Sequence, residues 1–131
     1  MKNKLRIILL SVIAAVAVVA IVVFLNAAAK EPVMEVGGVG ISTLYASAGE
    51  KSMTASKSEM GEQTSRVERT YAGVTQQELD DYTALLKNEG FSDAADGSDA
   101  LEKTEGDRAV RIEIYPAADG GTTIAYTVTA G

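Results

Sequence analysis

The spacing of hydrophobic and polar residues divides the chain near residue 30. Residues 7–25 form an apolar run in which Ser11 is the only polar residue. From Lys30 onward, apolar residues recur singly or in short groups among polar ones, as expected for a globular domain. We therefore predict three parts: an N-terminal segment of residues 1–29, a tether with early strands over residues 30–62, and a domain over residues 63–131.

The apolar run fits two kinds of N-terminal segment. Its 19 residues approach the roughly 20 that cross a bilayer and exceed the about 7–15 of a signal peptide, so a retained transmembrane anchor is favoured. Ala27 and Ala29 match a signal-peptidase site, so secretion after cleavage at Ala29 is the alternative. In both cases the basic residues ahead of the run stay inside and the domain lies outside the cell membrane. Those basic residues are Lys2, Lys4 and Arg6.

The clearest local pattern predicts a helix from Thr75 to Gly90. Thr75 and Glu78 have the spacing of a capping box at the helix start. Gly90 suits the left-handed turn that ends a helix, and Phe91 follows it where a Schellman motif places an apolar contact. One apolar stripe runs along the helix. Its members are Leu79, Tyr82, Leu85 and Leu86.

Alternation of apolar and polar residues predicts strands on either side of this helix. The predicted strands are residues 65–71, 100–104, 108–115 and 122–128, with weaker candidates at 30–39, 41–45 and 53–57. Residues 92–99 are expected to form a polar turn. The last three strands form an antiparallel meander, and the helix stripe covers its apolar face. We predict an α+β fold: an N-terminal hydrophobic helix, then a two-layer domain with one amphipathic helix packed on an antiparallel sheet. One to three earlier strands extend that sheet.

The composition excludes several kinds of chemistry. From residue 30 onward there are 9 basic and 18 acidic residues, a net charge of −9, which argues against a nucleic-acid partner. The chain has no Cys and no His. It therefore lacks the residues for a disulfide, a lipid attached through Cys, an ordinary zinc site or a Ser-His-Asp triad. We expect no bound cofactor and no metal.

Two acidic groups are candidate sites. Glu78, Asp80 and Asp81 could act as paired carboxylates, but their place at the helix start favours a role in helix electrostatics. The second group surrounds Gly97 and does not match the ligand spacing of an EF-hand loop, so a solvated turn is favoured over a calcium site. Its members are Asp93, Asp96 and Asp99.

The strand of residues 108–115 carries the candidate binding residues. Tyr115 and Arg111 lie on its polar face, opposite the apolar face. Exposed aromatic and arginine side chains often anchor protein partners, so both are predicted as partner-binding residues. Cross-strand packing on a solvated face is the alternative interpretation. An edge strand of the sheet could also accept a partner strand, although the sequence does not indicate which edge.

One stretch of the chain resembles a known group of domains. The sequence from Tyr71 to Thr75, followed by Glu78, Tyr82, Leu86 and Gly90-Phe91 and then a strand meander, is similar to small, uncharacterised helix-plus-meander domains of Gram-positive bacteria. Those domains are secreted or membrane-anchored. The resemblance covers about Ser65 to Val128 and implies an extracellular location, but no catalytic residue. Lipid-anchored members carry a Cys that this chain lacks.

These observations favour a non-enzymatic, envelope-associated binding or structural module. Its partner would be an envelope protein, a peptide or a cell-wall polymer, and residues 7–25 would hold it at the membrane. Two alternatives remain at this point. One is an extracellular hydrolase that uses two carboxylates in a concave pocket, and the other is a pilin-like or regulatory subunit.

Overall fold

An antiparallel sheet, a separate hairpin and two helices form the part of the chain that the computed structural model describes, residues 30–118 and 120–130. The elements are β1 (Val33–Val36), β2 (Val39–Ser42), α1 (Leu44–Ala48), β3 (Ser52–Met60), β4 (Thr64–Ala72), α2 (Gln76–Asn88), β5 (Ser92–Asp93), β6 (Leu101–Glu105), β7 (Arg108–Pro116) and β8 (Thr122–Ala130). The α+β class is therefore confirmed. The predicted N-terminal helix lies outside the described residues, within which no helix is long and apolar enough to span a membrane.

The main sheet has six strands in the order β3-β4-β8-β7-β6-β5, and all neighbours are antiparallel. The predicted meander is confirmed as β6, β7 and β8. Strands β4 and β3 extend the sheet beyond β8, so the last strand of the chain lies inside the sheet. The remaining strands, β1 and β2, pair only with each other in a short hairpin.

Both ends of α2 follow the local signals in the sequence. The Thr75 hydroxyl accepts from the Glu78 N–H at 3.2 Å, and the Glu78 carboxylate accepts from the Thr75 N–H at 3.0 Å, which completes the capping box. At the other end, Gly90 has φ +104°, and the Phe91 N–H donates to the Leu86 carbonyl at 3.1 Å. This is the long hydrogen bond of a Schellman motif, so that prediction is also confirmed.

One hydrophobic core lies between a single face of the sheet and the covering layer of β1, β2, α1 and α2. Side chains from both sides of position 62 enter it, so residues 30–62 share one core with the described residues that follow them. The earlier segment contributes Met34, Val36, Val39, Ile41, Leu44 and Met53. The later segment contributes, among others, Val67, Tyr82, Leu86, Ile112, Ile124 and Val128.

The structure differs from the sequence-based expectation in three short segments. Residues 30–39, expected as a tether or one strand, contain β1 and the start of β2, which pair with each other outside the main sheet. The strand expected over residues 41–45 ends at Ser42, and a single helical turn begins at Leu44, which is fully buried. Thr43 fixes this change of direction because its N–H donates to the Pro32 carbonyl at 3.0 Å. In the expected turn of residues 92–99, Ser92 and Asp93 pair with β6 as a two-residue edge strand.

Candidate partner-binding surface

The outer face of the sheet is the face turned away from the core. Both described helices lie on the core side, so no helix covers this face. Alternation along β7 places Arg111, Glu113 and Tyr115 on it, as predicted. Arg111 and Tyr115 are four residues apart on one strand, which separates them by about 13 Å. The two predicted binding residues therefore share a face but belong to different surroundings.

Arg111 is surrounded by carboxylates. Its Nη1 donates to Glu102 Oε1 at 2.6 Å, and its Nη2 donates to Asp96 Oδ2 at 3.1 Å. Its Nε lies 3.8 Å from Glu113 Oε1. Every guanidinium nitrogen thus has an acidic neighbour within the domain, which gives Arg111 a structural role in holding the loop before β6 against the sheet. Contact between Arg111 and a partner stays a prediction.

Asp96 belongs to a turn that is closed by its own neighbours. The Ser98 hydroxyl and the Ser98 N–H both donate to Asp96 Oδ1, at 2.6 and 3.0 Å. These bonds, with the nearby Arg111, lower the pKa of Asp96 to about 2. Asp93 pairs separately with Lys87 at 3.2 Å. Among the described residues, no three acidic side chains are grouped closely enough to hold a metal ion.

Tyr115 stands at the end of β7, where it is 37% exposed. It lines a cleft of about 550 Å³ between the first turns of α2 and the end of the β7–β8 hairpin. Three apolar side chains line the same cleft and are only half-buried: Val74, Leu79 and Ile114. Tyr115 belongs to the outer face, so it lies at the edge of this cleft, whose remaining lining includes the polar residues Gln76 and Thr83. A concave site with a few apolar side chains beside polar ones is a common form of ligand or peptide site.

The helix stripe does not enter the core along its whole length. Tyr82 and Leu86 are fully buried. Leu79, which lies one turn nearer to the helix start, faces the cleft instead. Sequence periodicity could not distinguish the buried positions from Leu79. It indicates which face of a helix is apolar, but not where the sheet opposite that face ends. The position of Leu79 in the first turns of α2 was the only available signal.

The charged residues that line the cleft are both acidic: Asp80 and Asp99. Both are exposed. Asp80 Oδ1 also accepts from the Gln76 side-chain amide at 3.0 Å. The cleft therefore combines a few apolar side chains with polar and acidic ones.

The carboxylates at the start of α2 each have a different partner. Glu78 forms the capping box and lies 2.5 Å from Lys51 Nζ, and mainly through that lysine its pKa is lowered. Asp81 accepts from the Gln77 side chain at 2.9 Å. An acid catalyst requires a raised pKa, so the lowered pKa of Glu78 favours helix stabilisation over acid–base chemistry for this residue.

A polar cluster lies inside the core. The Tyr82 hydroxyl donates to the Ser42 carbonyl at 2.6 Å and lies 2.8 Å from the Tyr126 hydroxyl. Burial raises the pKa of Tyr82, Tyr126 and Tyr71. These hydroxyl groups therefore remain protonated near neutral pH. The bonds of the Tyr82 and Tyr126 hydroxyl groups join α2 and β2 to the middle of the sheet.

Arg69 is buried on the core face of β4, between Val67 and Tyr71. Its Nη2 lies 3.8 Å from Glu31 Oε2, which is its nearest acidic group in the described part of the chain. Its Nε and Nη1 have no hydrogen-bond partner there. Strand alternation already placed Arg69 on the same face as Val67 and Tyr71. Arg69 is buried because the covering layer lies over this face of the sheet.

The chain matches no family model, no curated protein and no solved structure. The resemblance to helix-plus-meander domains of Gram-positive bacteria therefore stays a prediction, and the geometry of the site carries the functional argument.

Proposed function

We propose that this protein is a non-enzymatic binding module of the bacterial envelope. The segment of residues 7–25 holds it at the cell membrane, and the domain works outside the cell. The cleft beside Tyr115 is its binding site. The observation that carries this proposal is a single concavity lined by three half-buried apolar side chains, with the exposed Tyr115 at its edge.

The composition of the cleft supports a cationic partner. Among the described residues, the charged ones that line the cleft are Asp80 and Asp99, and the chain from residue 30 onward carries a net charge of −9. Opposite charge steers a basic partner toward such a surface and disfavours an acidic one. Apolar walls made by Leu79 and Ile114 favour a partner that also carries apolar side chains. The proposed partner is a basic, partly apolar peptide segment of another envelope protein.

A carboxylate-dependent hydrolase is the second candidate, because two carboxylates line the same cleft. A hydrolase of this kind needs one carboxyl group held away from water, so that it stays protonated and can act as an acid. Both Asp80 and Asp99 are exposed, which favours the binding function. Loss of turnover in the D80N and D99N variants, with partner capture retained, would favour the hydrolase instead.

Site-directed photo-cross-linking in intact cells tests the proposal. A benzophenone amino acid replaces Leu79 or Tyr115 in the full-length chain. Both positions should give the same cross-linked product. The matched control is Lys87, an exposed residue on the same helix that does not line the cleft. The label at Lys87 should give little of this product.

The charge of the cleft provides a second arm of the same experiment. The double variant D80N/D99N should lower the yield of the Leu79 cross-link by about tenfold if a cationic group is recognised. D107N removes one carboxylate from the exposed β6–β7 turn and should leave the yield unchanged. An equal yield of the cross-linked product from all three label positions, or no product at Leu79 and Tyr115, would refute the assignment of the cleft as the binding site.

A further inference from the structure

The edge of the sheet formed by β3 is the longest strand edge without a neighbour in the described part of the chain. β3 has nine residues, whereas β5 at the opposite edge has two. Pairing of β3 with β4 is continuous from Ala55 to Met60, and the one irregularity lies nearer the start of the strand, between Met53 and Ala55. The far side of β3 therefore offers a regular row of backbone donors and acceptors.

The side chains on this part of β3 are exposed, except for the half-buried Ser56. Beyond Met53 the covering layer ends, and Met60 is 63% exposed on the core side of the sheet. On the outer face stand Lys57 and Glu59, and neither forms an ion pair in the described part of the chain. An open strand edge usually carries charges of this kind as protection against pairing. Here the two charges have opposite sign and are two residues apart.

That spacing makes β3 complementary to a second copy of itself. Two antiparallel copies of one strand are related by a two-fold axis normal to the sheet, and directly opposite residues must lie on the same face. An axis through residue 57 would oppose Lys57 to its own copy, and an axis through residue 59 would oppose Glu59 to its own copy. An axis through Ser58 opposes each Lys57 to the Glu59 of the other chain, which creates two cross-strand ion pairs.

We propose that β3 pairs with β3 of a second copy of this chain, antiparallel and centred on Ser58. The two six-stranded sheets then become one continuous sheet. The same register sets the exposed Met60 opposite Ser56 of the other copy, on the face that the covering layer leaves open. This surface is separate from the cleft, so the pairing does not depend on the binding function proposed above.

The contact is small. Residues from Ser56 to Met60 provide five cross-strand pairs, which is below the size of a stable protein interface. The pairing therefore requires a high local concentration. The membrane anchor proposed above, on which this step rests, supplies that concentration, because two chains held in one membrane meet at a raised effective concentration.

Cysteine cross-linking tests the register directly, since the chain has no cysteine of its own. In the proposed dimer, opposite Cα atoms at Ser58 are about 4.5–5.5 Å apart, within the range of a disulfide. The S58C variant should form a disulfide dimer on oxidation of intact cells. S56C is the matched control, because two copies of residue 56 lie about 13 Å apart in this register. Repeating the oxidation on concentrated purified chain covers the case in which the N-terminal segment is cleaved.

Charge exchange provides the second test, in the S58C background. K57E or E59K alone sets like charges opposite each other twice and should lower the disulfide yield by about tenfold, whereas K57E together with E59K restores the attraction and the yield. Equal dimer yields at positions 56 and 58, no dimer at 58 in either preparation, or failure of the double exchange to restore the yield would each overturn the proposal.

Discussion

The buried tyrosine pair offers the sharpest test of the core, because the geometry fixes which hydroxyl group donates. Tyr82 has a single hydroxyl hydrogen and donates it to the Ser42 carbonyl at 2.6 Å. The 2.8 Å contact between the two hydroxyl groups must then use the hydrogen of Tyr126, with the Tyr82 oxygen as acceptor. Replacement of either tyrosine by phenylalanine keeps the ring and leaves no cavity.

The two replacements should have unequal costs. Tyr82→Phe removes the donor of the Ser42 carbonyl and the acceptor of the Tyr126 hydroxyl, and both tyrosine side chains are fully buried. Loss of two hydrogen bonds, with a buried hydroxyl left unpaired, should lower the free energy of unfolding by about 2–3 kcal/mol. Tyr126→Phe leaves the Tyr82–Ser42 bond in place and should cost about 1 kcal/mol.

Urea unfolding followed by far-ultraviolet circular dichroism measures both values on the chain from Lys30 to Gly131, which includes the core described above. Tyr45→Phe is the control, because the Tyr45 hydroxyl makes no hydrogen bond in the described part of the chain. Its effect should stay within about 0.5 kcal/mol. A cost of Tyr126→Phe equal to or above that of Tyr82→Phe would refute the assigned direction of the hydrogen bonds.

Two further predictions concern charged groups. Arg69→Met should leave the free energy of unfolding unchanged or raise it by about 1 kcal/mol, because two buried Arg69 nitrogens lack hydrogen-bond partners. A decrease of more than about 2 kcal/mol in the same unfolding assay would contradict this, because it would show that the buried charge is stabilised by a partner. Asp96 has its pKa lowered to about 2, so its carboxylate stabilises the fold above about pH 4, and this contribution is lost as the pH falls toward 2. Ser98→Ala should raise the pKa of Asp96, measured by a carbon-detected NMR titration, more than Arg111→Met does, and the reverse order would contradict the assigned main cause.

Local signals in the sequence were sufficient for α2 and for the meander. The capping box, the apolar stripe and Gly90 act within a few residues of one another, so each could be recognised without knowledge of the fold. Strand alternation placed Arg111 and Tyr115 on the outer face for the same reason. These features depend on backbone geometry that neighbouring residues determine.

The contribution of residues 30–62 could not be predicted in the same way. The hairpin β1–β2 and the single turn α1 are too short to show a periodicity. Their order is set by tertiary contacts, such as the bond from the Thr43 N–H to Pro32 and the burial of Leu44. The cleft forms where the layer that covers the sheet ends. The position of that end depends on several segments together, so it cannot be predicted from any one of them.

Methyl NMR spectroscopy tests directly whether the cleft recognises basic, partly apolar segments. A six-residue peptide of alternating Lys and Leu is titrated into the isotope-labelled chain, with a Glu-Leu peptide as the counterpart. We expect saturable shifts of the Val74, Leu79 and Ile114 methyl groups with the basic peptide alone. The methyl groups of Val33, which is 57% exposed on β1 and does not line the cleft, should not move. Equal shifts with both peptides, or shifts at Val33 without shifts in the cleft, would contradict the claim.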